Sequence, residues 1–547
     1  MDTVFGTLIN DELKLVNHRM LRSGVQHRHD IRPLDPQPYD PVEVHLLTPG
    51  QAGFDQITLI HTTDGSPPAG SRGEPVNGTV IPLERVHIEW DSLIWDYVVH
   101  WQAVIPGQPD QTMVQYIISA WSNDGDETFA DWPDIDDAVQ HATMLHFKSI
   151  PEDTALPESG PFPGQGVFNY HVDIIHPPHW ASEAIIYQVL VDRFYPGDDQ
   201  AWRQTTDVYQ HCGGTLWGVR DKLDYIAELG VNCLWLSPTW VSPSPHGYDV
   251  TDYDHVEPRL GGDEALRAVV KEAHQRGIRV LLDMACNHLS NEHPIFIEAQ
   301  KDEHSPYRDW FFFDERIEHG YKTFFHVPSM PRLNLAFPAA RDWMASNAVR
   351  WLRDFDVDGY RLDVADGLGP GFWPYFRQAC KAAKPDCLIF GEIIDTPHRL
   401  RTYTGRLDGC LDFPLNDALR RTFVWETLTK PQLQAFVDNN AAYYTDDFVA
   451  PSFLDNHDMN RFSFIAGNNA EKLKRAVSFQ MQLPNPPIIY YGTEVGVRQA
   501  DDLMDRGFGV SRIPMIWGDE QDTDLLSFFK QEIQARKERF AGRNGDL

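Results

Sequence analysis

The chain has too little positive charge to hold a polyanion. Against 80 Asp and Glu it sets 47 Lys and Arg, a formal net charge of −33, and its isoelectric point lies near 5.0. Nucleic-acid binding depends on Lys and Arg neutralising phosphates. Attraction to anionic membrane surfaces has the same requirement. Neither partner is expected. Long hydrophobic runs are missing too: no stretch of about 18 apolar residues occurs, so no transmembrane helix is expected. The N-terminus, Met1 to Glu12, lacks the basic and apolar regions of an export signal, which makes a cytoplasmic location the expectation. Cysteine is scarce. Cys212, Cys233, Cys286, Cys380, Cys387 and Cys410 form no CxxC pair and no metal-ligand spacing, which argues for free thiols rather than a disulfide frame.

The chain does have size. Its 547 residues exceed the length of roughly 250–300 at which a single core stops growing, so more than one domain is expected. Residues 1–150 carry period-2 alternation, as in Val42–Leu47, Gln56–His61, Val86–Trp90, Tyr97–Trp101 and Val114–Ser119, separated by turn-rich pieces such as Asp64-Gly65. That pattern predicts an N-terminal β-sandwich. A Pro- and Gly-rich linker follows at 151–180, and 181–547 reads as the second unit. From Ile185 on, apolar strand-like runs alternate with helical ones. The strands are expected at Ile185–Val191, Asn232–Leu236, Ile278–Asp283, Gly359–Val364, Leu388–Glu392, Gly409–Phe413, Val449–Leu454 and Pro487–Tyr491. Eight strand–helix repeats are what a (β/α)₈ TIM barrel needs. The fold class is therefore α/β. The stretch of about 289–338 is too long for a plain connection and predicts an inserted subdomain after the third strand.

Four of these strands end in chemistry-bearing residues: Asp283-Met-Ala-Cys-Asn-His288, Gly359-Tyr-Arg-Leu-Asp363, Gly391-Glu392 and Leu454-Asp-Asn-His-Asp458. The C-terminal ends of barrel strands are where such a fold keeps its active site. Carboxylates gathered there beside histidines and an arginine suit glycoside chemistry. Arg361 and Asp363 are two apart on one strand, so their side chains point the same way, and a guanidinium favours an ionised neighbour. Glu392 follows an apolar run, and burial beside other carboxylates raises a Glu pKa. Each residue also has a plainer reading: an ion pair for Arg361 and Asp363, a solvated strand end for Glu392, a helix N-cap for Asp458, satisfied polar groups for His288 and His457, core packing for Tyr248. With 16 Trp and 12% aromatics, most rings fill cores and a few are free to stack on sugar.

Taken in order, these segments resemble those of the α-amylase superfamily, glycoside hydrolase family 13, over roughly 180–540. Gly213–Gly218, His246-Gly-Tyr-Asp249, Met330-Pro-Arg-Leu-Asn334 and Gly492-Thr-Glu-Val-Gly496 add to the match. The N-terminal part is similar to the starch-binding-type sandwich of neopullulanases, cyclomaltodextrinases and maltogenic amylases. The resemblance implies a retaining hydrolase of α-glucosidic bonds, mainly α-1,4, in malto-oligosaccharides or starch-like glucans. It implies Asp363 as nucleophile, Glu392 as general acid then base, Asp458 as transition-state stabiliser, and Tyr248, His288, Arg361 and His457 as substrate-binding residues. A glucanotransferase or isomerase on the same site, or a catalytically silent amylase-like binding protein, are the alternatives. Relatives of this kind often form homodimers through the sandwich. Asn287 stands where many α-amylases ligate calcium, but Arg332 and Gly367 replace two other ligand positions, so no metal and no other cofactor is expected. Pro245 replaces an Asp typical of strict exo-action, which favours endo or multi-subsite cleavage. The C-terminal β-sandwich usual in the family is expected to be absent.

Overall fold

The computed structural model describes residues 11–541 apart from 124, 131–132, 147–149, 156–161, 163, 165, 198–199 and 204–208. The reading of residues 1–10, part of the Pro- and Gly-rich stretch 161–166, and the last residues 542–547 lie outside that set.

The five alternating segments become strands. Val42–Pro49, Glu84–Asp91 and Asp96–Ile105 form one antiparallel sheet with a short edge at Ile31–Arg32. Gln56–Thr62, Thr79–Pro82, Thr112–Trp121 and Thr128–Phe129 form the second. Alternate residues of the two sheets, including Val42, Val44, Leu46, Leu59, Ile118 and Ile105, bury a shared core, as period-2 patterning requires. Two elements differ from the sequence reading. Pro133–His146 is a helix. Within 151–180, read as linker, Phe168–Val172 is a fully buried strand that pairs with Thr112–Trp121. Its Asn169 Nδ2 donates to the Gly371 carbonyl at 2.7 Å, tying the sandwich to the barrel. Phe168, Tyr170 and Val172 supply the apolar face that the surrounding prolines and glycines obscure.

The second unit contains eight parallel strands that follow one another around a single sheet: β1 (Ile186–Val189), β2 (Cys233–Leu236), β3 (Arg279–Ala285), β4 (Gly359–Asp363), β5 (Leu388–Gly391), β6 (Gly409–Cys410), β7 (Ser452–Phe453) and β8 (Pro487–Tyr490). β8 pairs with both β1 and β7. The remaining seam is closed by a parallel bridge between Gly409 and Val449, with the Cys410 N–H donating to the Val449 carbonyl at 3.0 Å. Gly409 has to be glycine there, since a Cβ would lie 1.6 Å from the Val449 oxygen. Strand residues alternate between two cores. Cys233, Trp235, Leu281 and Phe390 fill the barrel, and Leu234, Leu236, Leu282 and Leu362 meet the surrounding helices. Helices Gly262–Gln275, Pro338–Asp354, Trp373–Ala383 and Thr523–Phe540 belong to that outer layer.

β6 is shorter than the expected Gly409–Phe413, because Phe413 opens the helix Phe413–Phe423, whose first turn is capped by Asp412 accepting from the Leu415 N–H at 2.9 Å. The insert between β3 and the helix Pro338–Asp354 holds the helix Pro294–Lys301 and a cluster of Phe296, Phe311, Phe313 and Tyr321. All six cysteines are buried and unbonded. Among the described residues, no helix is long and apolar enough to cross a membrane.

Candidate active site

Strand direction aims four chain segments at one place. β3 delivers Asp283 and, just past its end, Asn287 and His288; β4 delivers Arg361 and Asp363; β5 is followed by Glu392; the chain beyond β7 supplies His457 and Asp458. Arg361 is the hub. It is fully buried, and its Nη1 lies 2.6 Å from Asp283 Oδ1 and 2.9 Å from Asp363 Oδ1, while Nη2 lies 2.6 Å from Glu392 Oε1. Asp283 stands opposite Arg361 in the β3–β4 register, which accounts for the first contact. Three carboxyl groups thus share one guanidinium.

Asp458 has other partners. His457 Nε2 lies 2.9 Å from its Oδ2, and the Arg512 guanidinium pairs with its Oδ1. Tyr248 stacks on His457 with ring planes 9° apart, and its hydroxyl lies 2.9 Å from Asp283 Oδ2 and 2.5 Å from His457 Nε2. Gln188 on β1 reaches His457 Nδ1 at 2.7 Å. His288 stacks on Phe324 of the insert at 4.7 Å between centroids. All seven residues selected from the sequence therefore converge. The helix-cap reading of Asp458 fails: the next helix, Phe462–Ile465, has its first N–H held by Asp455 Oδ2 at 2.9 Å.

The electrostatics follow from that partner count. Burial pushes the Glu392 carboxyl up; Arg361 opposes it and Asp458 adds to it. Burial likewise pushes Asp363 well up, and the pull of Arg361 is outweighed once Glu392, Asp283 and Asp458 crowd the same site. This corrects the expectation that Arg361 holds Asp363 in the ordinary charged range: one cation divided among three carboxyls cannot do so. Asp458 moves the other way. Burial raises it, but His457 and Arg512 together hold it well below the usual carboxylate range. Burial, with His246 and Arg332 nearby, lowers His288 to about 3, so its ring is neutral. Val364, next to Asp363, sits in the left-handed region at φ 44°, at odds with its branched side chain. Such residues cost about 1–3 kcal/mol and collect at functional sites. Glu392 holds the turn there: its carbonyl accepts from the Ala365 N–H at 3.0 Å and its Oε2 from the Val364 N–H at 3.3 Å.

The model of the alpha amylase catalytic domain matches residues 188–539. The chain belongs to the alpha-amylase family. It is 38% identical over 370 residues to Alpha-amylase 2 of Dictyoglomus thermophilum, covering 67% of this chain and 65% of that protein. It is 35% identical over 398 residues to a cyclomaltodextrinase of Geobacillus thermopakistaniensis, covering 70% and 66%. Against Neopullulanase 2 of Thermoactinomyces vulgaris it is 34% identical, covering 68% and 66%. These matches therefore span just under two thirds of each relative's length. Among solved structures, a cyclomaltodextrinase superposes with a TM-score of 0.63 at 26% identity, over 94% of this chain and 85% of the other.

Alpha-amylase-family calcium would need oxygen donors around Asn287. Asn287 Oδ1 is buried with no donor among the described residues, and Gly367 packs against it, since a Cβ on Gly367 would lie 2.7 Å from that oxygen. However, the Arg332 guanidinium already donates to the Gly367 carbonyl. A fixed positive charge at that point opposes a divalent cation, so these residues do not fit calcium. Among the described residues, no group of three or more His, Cys, Asp or Glu could hold a metal ion.

Sequence reasoning assigned no role to Asp283, Gln188 or Arg512. Asp283 was readable: it ends an apolar strand inside a segment already singled out. Arg512 lies 54 residues from Asp458 in a loop with no pattern of its own.

Proposed function

We propose that this chain is a retaining glycoside hydrolase that cleaves α-glucosidic bonds, mainly α-1,4, in malto-oligosaccharides or starch-like glucans. The observation that carries the reading is the single buried guanidinium of Arg361 contacting Asp363 and Glu392 through adjacent nitrogens, with Asp458 beside His457 at the same strand ends. Retaining enzymes need two carboxyl groups about 5–5.5 Å apart, and one guanidinium spanning both agrees with that scale.

The retaining mechanism sets the roles of the pair. Glu392, pushed up by burial, keeps its proton and gives it to the glycosidic oxygen as the bond to the anomeric carbon breaks. Asp363 in its ionised form attacks that carbon from the opposite face, and a covalent β-glycosyl ester forms. Glu392, now a carboxylate, takes a proton from water, and the oxygen of that water displaces Asp363. Two inversions restore the α configuration. The raised titration of both groups fits one shared proton between them, which is the reactive state: one acid, one anion. Asp458, held ionised by His457 and Arg512, accepts hydrogen bonds from ring hydroxyls and opposes the positive charge developing at the transition state. His288 with its neutral ring, together with His457 and the Tyr248 face, completes the contacts to the cleaved sugar.

The names of the relatives, cyclomaltodextrinase and neopullulanase among them, support an α-glucan substrate. Pro245, where strict exo-acting relatives carry an Asp, favours endo or multi-subsite action, and an open pocket of about 570 Å³ bounded by Arg203, Tyr209, His211, Ser244, Pro245 and Asp249 lies at that loop. Similarity to an intracellular maltogenic amylase of Bacillus subtilis supports a cytoplasmic location. The working division is a sandwich whose last strand is Phe168–Val172 and a catalytic unit from about 181 to 547, with a homodimer as the form to test by light scattering. The deciding experiment is a panel of starch, pullulan, cyclodextrin, maltoheptaose, isomaltose and sucrose, with products identified and their anomeric form read by NMR. Hydrolysis with α-configured products is expected. Release of β-configured products, or turnover of none of the panel, overturns the reading.

A further inference from the structure

The helix Pro133–His146 precedes the barrel in the chain, yet one of its side chains reaches the back of the catalytic cleft. Asp137 pairs with Lys322 Nζ, and its other oxygen lies 2.5 Å from Arg332 Nη1. Arg332 Nη2 donates to the carbonyl of Gly367. Gly367 belongs to the turn Ala365–Leu368, which begins two residues after Asp363. Arg332 is also pinned through its backbone: it bridges to His288, and the neighbouring Leu333 N–H donates to the Asn287 carbonyl at 2.9 Å. Both cations are nearly out of solvent, with Arg332 5% and Lys322 7% exposed. One guanidinium thus joins the N-terminal helix, the insert and the turn behind Asp363.

That turn has reason to be held. Val364 is strained, and Gly367 is pressed against Asn287 on one side. A displacement near 1 Å at a reacting group is enough to cost about 10²-fold in rate, even when its cause lies away from the chemistry. A buried, paired Arg is suited to fixing geometry because its planar fork is pre-organised, and charge-assisted hydrogen bonds are roughly twice as strong as neutral ones.

We propose that Asp137 and Arg332 are positioning residues for the reaction: the N-terminal helix docks an internal guanidinium onto the Gly367 carbonyl, cross-linking the turn behind Asp363 without a metal ion. This rests on the reading of Asp363 as nucleophile given above. The helix then acts on rate without touching substrate.

The test uses the full chain with Asp137→Asn, Arg332→Met and Arg332→Lys. On maltoheptaose, Asp137→Asn and Arg332→Met are expected to lower kcat about 10- to 100-fold, the cost of a small misplacement, with much smaller changes in KM. Arg332→Lys should fall between them and the parent. Hydrogen exchange of the amides in 364–369 should rise in Asp137→Asn while β1 and β2 stay protected. The melting temperature of the parent should not move with EDTA or added calcium. Retention of parental kcat by folded Asp137→Asn overturns the positioning role, and a parent that melts earlier in EDTA overturns the metal-free cross-link. Should Arg332→Met fail to fold, Asp137→Asn and Arg332→Lys carry the same measurements. If the parent hydrolyses nothing, the nucleophile assignment fails while the exchange experiment still decides the cross-link.

Discussion

The two ends of strand β4 carry two aspartates five positions apart, and they live in opposite electrostatic worlds. Asp358, at the entry end, is surrounded by donors: His274 Nε2 at 2.7 Å, Arg279 Nη1 and Lys384 Nζ each at 3.2 Å, and the Val280 N–H at 2.8 Å. Burial pushes its carboxyl up, but the His274 hydrogen bond, the Lys384 charge and the Val280 N–H together hold it below its ordinary value. Asp363, at the exit end, competes with Asp283 and Glu392 for Arg361 and is pushed up. Both groups are buried ion pairs. What separates them is the ratio of carboxylates to cations. A surplus of donors makes an anchor, and a surplus of carboxyls leaves a proton in play. In this fold the entry face serves stability and the exit face chemistry.

The comparison can be broken at either end. The largest effect is expected from Asp363→Asn: kcat should fall about 10³- to 10⁵-fold, the scale for losing one member of a catalytic set, while the melting temperature at pH 7 stays level or rises. The sign follows from linkage. A carboxyl whose folded pKa is raised contributes stability that is present below its unfolded pKa and lost as pH rises, so removing its charge relieves the fold at neutral pH. A large drop in melting temperature would make Asp363 an anchor like Asp358.

Asp358→Asn should do the reverse. Breaking a buried pair from one side costs about 3–5 kcal/mol, so denaturant unfolding should shift strongly while kcat of the folded enzyme stays near the parent. The depressed carboxyl contributes stability above its unfolded pKa that disappears as pH falls through the folded value, so the gap between parent and variant should close in acid. A variant as stable as the parent at pH 7 would contradict the donor-surplus account.

A pH profile sharpens the chemistry at the exit end. kcat/KM should be bell-shaped, falling on the acid side as the Asp363–Glu392 pair takes a second proton and on the basic side as it loses its last one. Since burial raises Glu392, the basic limb should lie above the range of an ordinary Glu. A rate that is flat across neutral pH and falls only in acid would mean that no proton is donated by Glu392.

The smallest effect concerns a third kind of aspartate. Asp412 caps the helix Phe413–Phe423 and pairs with no cation among the described residues; burial pushes it up to about 7, against the Leu415 N–H and Asn440. Its stabilising contribution is present below its unfolded pKa and fades as pH rises through about 7. Asp412→Asn, a comparable cap, should melt higher than the parent at pH 8, with the gap narrowing as pH falls through about 7 and closing toward the ordinary carboxyl range of about 4.

Much of the exit face was legible because strand-end residues announce themselves. Arg361 and Asp363 share a strand face, Glu392 terminates an apolar run, and His457 and Asp458 close another. Eight strand–helix repeats were legible for the same reason: alternation of apolar runs with 3.6-period segments is set locally. What was hidden is set by tertiary context. Phe168–Val172 sits among prolines and glycines that read as linker, and only the sheet edge at Thr112–Trp121 makes it a strand. Asp137 and Arg332 are 195 residues apart, and no local pattern predicts that they meet. The protonation of Asp363 was misjudged because the sequence displayed its partner Arg361 but not the other carboxyls drawing on the same guanidinium.

The barrel closes at β6 through two residues and a single bridge to Val449. The ladders that join β6 to β5 and β7 to β8 are only two pairs long, against four for β2–β3 and five for β3–β4, so this side of the cylinder should open first. Deuterium should reach the Cys410 and Val449 amides well before those of β3 and β4. Opening there acts first on the proton donor and the charge stabiliser, which follow β5 and β7, and last on the nucleophile, which sits on the longer ladder of β4.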